Sequence, residues 1–93
     1  MRYRPNRQEA RYKATLRADG EAIPATVVDI SRDGAKLAVP YPILAGTAVQ
    51  LKLGRTHAKA LVHWCRDGHA GVRFLDRLDR NTLLRLERSG LAP

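Results

Sequence analysis

Two short groups of residues carry the side chains most able to do chemistry. In the first, Arg7 and Arg11 stand four apart as R-x-x-x-R within a strongly basic opening segment. Guanidinium groups are planar and permanently charged, and they bond bidentately to phosphate or to the O6 and N7 edge of guanine. In the second, Asp29-Ile30-Ser31-Arg32-Asp33-Gly34 reads D-x-S-x-x-G. Asp29 and Ser31 are two apart, so on a strand they leave the same face, with Val28 and Ile30 turned toward a core. The carboxylate can accept hydrogen bonds from two neighbouring N–H donors, as on the Watson–Crick edge of guanine. Gly34 supplies a sharp turn and room for a flat ligand near the main chain. Phosphate-gripping arginines beside an acid–hydroxyl pair suit a guanine nucleotide. Each motif alone is common, the first in basic chains and the second in ordinary turns.

The remaining reactive side chains form no comparable group. His57, His63 and Cys65 fall on one face of a predicted strand, but the spacings typical of structural zinc are missing, so no metal site is expected. Cys65 has no base at a recognisable spacing. No phosphate-binding glycine loop, nucleophile elbow or carboxylate pair is present, and the expectation is that the protein is not an enzyme.

Composition limits what can position these residues. Ninety-three residues with 44% apolar content support one domain with one modest core. No apolar run is long enough for a membrane span, so no membrane insertion is expected. With a single cysteine, Cys65, no internal disulfide can form, and a cytoplasmic setting fits best. The formal charge is +8, and residues 1–17 carry Arg2, Arg4, Arg7, Arg11, Lys13 and Arg17 against Glu9 alone. Such a segment attracts anions over long range.

Breaks in the chain divide it into strands. Asp19-Gly20, Asp33-Gly34 and Asp67-Gly68 are hairpin signals, Gly54-Arg55 is a further turn, and Pro40-Tyr41-Pro42 is a bend. Six strands are predicted, near 11–18, 22–32, 35–39, 47–53, 57–66 and 69–75. Alternation places Tyr12, Ala14 and Leu16 on one face, as it does Val49, Leu51 and Leu53. It likewise groups Ala58, Ala60, Val62 and Trp64, with Trp64 expected in the core, and Ala70, Val72 and Phe74. The period then changes. Asp79 is a predicted helix N-cap, and Leu75, Leu78, Thr82 and Leu86 form a helical stripe, widened by Leu83, up to a stop at Gly90. The predicted fold is mainly β: a six-stranded antiparallel β-barrel with a short C-terminal α-helix. Residues 1–10 form a flexible basic arm and 11–90 the barrel domain.

R-x-x-x-R followed by D-x-S-x-x-G resembles the PilZ domain family. The 17 residues between Arg11 and Asp29 are a short separation for that family. Val62-His63-Trp64-Cys65 and Gly71-Val72-Arg73-Phe74 look like its last two strands, and the closing helix is also similar. The resemblance spans about Arg4 to Leu86. It implies a receptor for cyclic di-GMP, with Arg7 and Arg11 gripping phosphates and guanine Hoogsteen edges, Asp29 and Ser31 reading a guanine, and Gly34 permitting close approach. Arg4 and Arg32 are secondary ligand candidates by charge and proximity. No cofactor is expected beyond the ligand. The arm would order on binding and signal in trans to an unidentified downstream protein. Two alternatives stay open: an interaction module of the same family without the ligand, and a small nucleic-acid-binding barrel. The second is disfavoured because only Tyr3, Tyr12, Tyr41, Trp64 and Phe74 are aromatic, too few for stacking platforms, so no DNA or RNA partner is expected.

Overall fold

The computed structural model describes residues 8–90. Apolar residues at every second position need an enclosed face, and six short strands provide one by closing on themselves. The strands are β1 (Gln8–Ala18), β2 (Glu21–Ile30), β3 (Gly34–Ala38), β4 (Ala48–Leu53), β5 (Thr56–Arg66) and β6 (His69–Phe74). They form a closed antiparallel barrel in the order β1-β2-β3-β6-β5-β4, completed by helix α1 (Arg80–Gly90). The expected fold is the one observed, and β1 reaches back to Gln8, into the segment assigned to an arm.

The alternating residues fill the barrel. Leu16, Val27, Ile30, Leu37, Leu51, Leu53 and Val62 are fully buried, joined by Ala58, Ala60, Ala70, Val72 and Phe74. Two Asp-Gly pairs make tight hairpins, with φ of 50° and 81° at Asp19 and Gly20 and 52° and 76° at Asp67 and Gly68. Positive φ at both central residues gives a turn that follows the twist of the strands. Asp33-Gly34 differs: neither residue has positive φ, and the β2–β3 connection is a wider turn spanning Ser31 to Gly34.

Three register shifts interrupt the alternation. On β1, Glu9 pairs with Asp29 and Tyr12 with Val27, so Ala10 and Arg11 together oppose Val28. On β2, Val27 pairs with Leu37 and Asp29 with Lys36, leaving Val28 as the extra residue toward β3. On β5, Val62 pairs with Val72 and Trp64 with Gly71, so His63 is extra. One inserted residue reverses the facing of everything after it. Two expectations are corrected accordingly. Val27 and Ile30 face the core, with Val28 only half-buried. Trp64 is outside the core and half-buried, while Cys65 turns inward to pack against it and accepts a hydrogen bond from the Ile43 amide at 3.3 Å.

Helix α1 covers the barrel end that carries the β2–β3 turn. Asp79 caps it weakly: Asn81 N donates to Oδ1 and Thr82 Oγ1 to Oδ2, both at 3.4 Å. Leu78 and Leu86 are buried and Leu83 is half-buried against the core. Leu75 departs from the predicted stripe. It extends β6, with its amide on the Lys59 carbonyl, and is 57% exposed. Among the described residues, no helix is long and apolar enough to cross a membrane.

Tyr12 lies between β1 and α1 with its hydroxyl buried and without a hydrogen-bond partner. Burial, with Glu87 nearby, pushes its phenol up to about 12. A raised folded-state value makes this group's contribution complete below the ordinary phenol range near pH 10 and lost as pH rises through about 12. Tyr12→Phe removes an unsatisfied polar atom, so we expect stability unchanged or higher by up to about 1 kcal/mol in urea unfolding. In an ultraviolet titration, the late-ionising phenol should vanish from the variant.

Gly34 pairs with Arg73 across β3 and β6, and a Cβ there would collide with the backbone carbonyl of Val72. Backbone cannot swing aside as a side-chain tip can. Gly34→Ala should therefore destabilise the barrel by about 1–3 kcal/mol, read from the urea midpoint.

Candidate functional site

The D-x-S-x-x-G segment begins as the last two residues of β2 and continues as the β2–β3 turn. Ser31 organises that turn. Its amide donates to the Gly34 carbonyl at 2.9 Å, and its hydroxyl accepts from the Asp33 amide at 3.2 Å. The Asp33 carbonyl accepts from the Phe74 amide at 2.8 Å, tying the turn to β6. Arg32 faces α1, where its Nε donates to the Leu78 carbonyl at 2.8 Å while the Leu78 amide donates to the Arg32 carbonyl. Arg32 thus locks the turn to the start of the helix. Asp33 pairs with Arg77 at 2.9 Å, but both side chains are well exposed, so the pair contributes little.

Asp29 is buried at 5% exposure, the buried charged residue among the described ones. Its backbone sits between Glu9 of β1 and Lys36 of β3. The β1 bulge places Arg11 beside this point, opposite Val28. The R-x-x-x-R and D-x-S-x-x-G segments, separated by 17 residues in sequence, therefore meet on adjacent strands. Arg4 and Arg7 lie outside the described residues.

Next to the turn, the outer face of β3, β6 and β5 holds a groove of ≈ 360 Å³. Ser31 and Gly34 line it at the turn, and Lys36, His63, Trp64 and Arg73 line it along the strands. Trp64 forms its floor because of two local features. The His63 bulge turns the indole outward, and Gly71, without a side chain, leaves space for it: a Cβ at Gly71 would strike indole Nε1 and Cε2. The Arg66 guanidinium lies 5.4 Å from the ring centroid, a cation–π contact. Of the charged residues lining the groove, Lys36 and Arg73 are cationic and Asp33 is paired with Arg77, with Trp64 as an aromatic surface between them and Arg66 over its ring.

Sequence reasoning named Ser31 and Gly34 and missed Lys36, Trp64 and Arg73. Strict period two put Trp64 inside, and only knowledge of the bulge would have turned it out. The pairing of a bulky Trp64 with a glycine in the facing strand was the available signal. The arrangement as a whole offers cations for phosphate, a flat aromatic surface for a base, and hydrogen-bonding groups at one end.

A family model described as the PilZ domain matches residues 2–89. Among solved structures, an uncharacterised protein from Legionella is similar, with 21% identity and a TM-score of 0.55 over 88% of this chain and 90% of that one. At that identity the likeness speaks to the fold alone. No curated protein matches the sequence. The family match covers nearly the whole sequence, and the closed barrel with its terminal helix agrees with it: the chain belongs to the PilZ domain family, a family of cyclic di-GMP receptors.

Proposed function

We propose that this protein is a cyclic di-GMP receptor that acts as a switch on a downstream protein and turns over no substrate. The observation that carries this reading is the register that sets Arg11 beside Asp29, next to a cationic, Trp64-floored groove. Cyclic di-GMP has two phosphates and two guanines. Arg7 and Arg11 would hold phosphates and Hoogsteen edges, because a guanidinium can donate two parallel hydrogen bonds to either. Asp29 and Ser31 would read one guanine. Trp64 would stack against a base, with Lys36 and Arg73 adding charge along the groove floor. Gly34 would keep the strand flat at the point of closest approach.

The buried position of Asp29 suggests how binding becomes a signal. The first residues of β1 pair with Asp29 and Ile30, so a ligand reaching the carboxylate has to rearrange that start of the strand. In this reading, the segment bearing Arg7 and Arg11 repositions over the ligand, an order change driven by local electrostatics, and presents a new surface. Arg32 contributes by anchoring the turn to α1, and Arg4 adds charge upstream.

Calorimetric titration tests the reading. Cyclic di-GMP should bind at micromolar affinity or better, with GMP and cyclic di-AMP far weaker. Arg11→Ala and Asp29→Asn should each reduce affinity about tenfold or more, since each removes a charge-assisted contact. Circular dichroism must show the variants folded. A folded protein giving no heat with cyclic di-GMP would remove the receptor reading and favour the ligand-free interaction module.

Trp64 is the single tryptophan of the chain, which gives a direct second readout. Its fluorescence should be quenched as the ligand saturates, with the same midpoint as the calorimetric titration. Unchanged emission at saturation would place the ligand away from the groove floor.

A further inference from the structure

The positive charge of the described barrel is concentrated on one side, and not on the groove side alone. Residues 12–18 and 48–66, which make up most of β1 with β4, β5 and their hairpin, contain six lysines and arginines and no acidic residue. The rest of residues 12–88 holds seven basic and eight acidic residues and is close to neutral. Nearly all the excess charge of this region therefore lies on β1, β4 and β5.

Register and burial show how these residues are arranged. Arg17 stands opposite Gln50, and Gln50 opposite Lys59, so these three form a row across the strands. Thr15, Lys52 and His57 form the next row. Lys13 and Arg55 extend the face toward α1, and the five lysines and arginines named are all exposed. Among the described residues, no carboxylate pairs with Lys13, Arg17, Lys52, Arg55 or Lys59. Carboxylates stand around the face and not within its rows: Asp76 and Asp79 share a hollow with Gln50, His57 and Lys59, Asp19 and Glu21 lie on the hairpin just past Arg17, and Glu87 lies near Tyr12. Two exposed leucines lie on another side: Leu61, 41% exposed, between Ala48 of β4 and Arg73 of β6, and Leu44, 82% exposed, just before β4.

We propose that this β1–β4–β5 face is a docking surface for an acidic, amphipathic protein segment. Three observations select that partner. The closed barrel has no free edge strand, so a partner cannot bind by adding a strand and must be recognised through side chains. Uncompensated cations at strand spacing are complementary to a row of carboxylates. The two exposed leucines supply the apolar contact that protein interfaces use and that a phosphate backbone does not need. Trp64 faces the groove with Arg66, and Tyr12 lies against α1, so no Phe, Tyr or Trp stands among Lys13, Arg17, Lys52, Arg55 and Lys59 to stack nucleobases, and no helix protrudes there for a groove.

The surface stands independently of the nucleotide reading, and the test keeps the two apart. A labelled amphipathic helical peptide with Glu along one face and Leu along its seam is titrated by fluorescence anisotropy. Mixed-sequence duplex DNA and phosphatidylglycerol vesicles run in parallel. The peptide should bind best. Arg17→Glu with Lys52→Glu should weaken it about tenfold or more, and Leu61→Ser should weaken it as well. All three residues are exposed or on the outer face, and cyclic di-GMP titrations of these variants should match the unmodified protein. The proposal is overturned by any of three results: no peptide binding, tighter binding of duplex or vesicles than of peptide, or peptide binding indifferent to the charge reversal or to Leu61→Ser.

Discussion

Closure of the barrel governs everything else in this small protein. β1 must pair with β2 on one edge and β4 on the other, so that Leu16 lies opposite both Ile23 and Leu51. All three are buried, and the chain has few other ways to enclose a core of this size. Six strands can close only if the sheet is strongly coiled, and coiling concentrates in bulges. The three bulges here are thus consequences of closure. Two of them, at Ala10–Arg11 and at Val28, flank Asp29, and the third, at His63, turns Trp64 outward. The distortion that completes the barrel is what builds the candidate site on its outside.

This origin explains what was legible in the sequence. Strand number, the antiparallel order of hairpins and the terminal helix follow from alternation and from Asp-Gly turns, both local signals. The core residues of β4 and β6 follow for the same reason. Bulges have no local signature of that strength. His63 is an ordinary strand residue by type, and its being extra depends on how β5 meets β6. Facing was therefore misread at a bulge, for Val28, and just past one, for Trp64 and Cys65. Leu75 was misplaced for a related reason: at a strand-to-helix junction, an apolar residue fits both periods. The motif residues were visible, but their neighbours Lys36 and Arg73 were indistinguishable from any solvated strand cation until the register set them along one groove.

The exposed positive charge falls on two parts of the surface. On the groove side, cations stand around an aromatic floor and beside a buried carboxylate, an environment with contrast in polarity that can orient a ligand with both bases and phosphates. On the β1–β4–β5 side, the cations are exposed and interspersed with Thr15 and Gln50, which suits a broad, shape-tolerant contact. The two faces share β1 and β5. A change at the start of β1 on ligand binding would reach the second face through the same strand that bears Lys13 and Arg17, with no separate linkage needed.

Gly34 and Ser31 show why a sequence motif of this kind should not be read as ligand chemistry alone. Gly34 lies where β3 runs so close to β6 that a Cβ would meet the Val72 carbonyl. Ser31 spends its amide and hydroxyl on the turn that leads to that approach. Both would be required in a barrel of this shape that bound nothing. Arg11 and Asp29 differ. A buried carboxylate costs desolvation energy unless charged or polar neighbours offset it, and Asp29 lies at 5% exposure where the start of β1 meets β2. Within one motif, the fold accounts for the serine and the glycine, and the ligand reading rests on the aspartate.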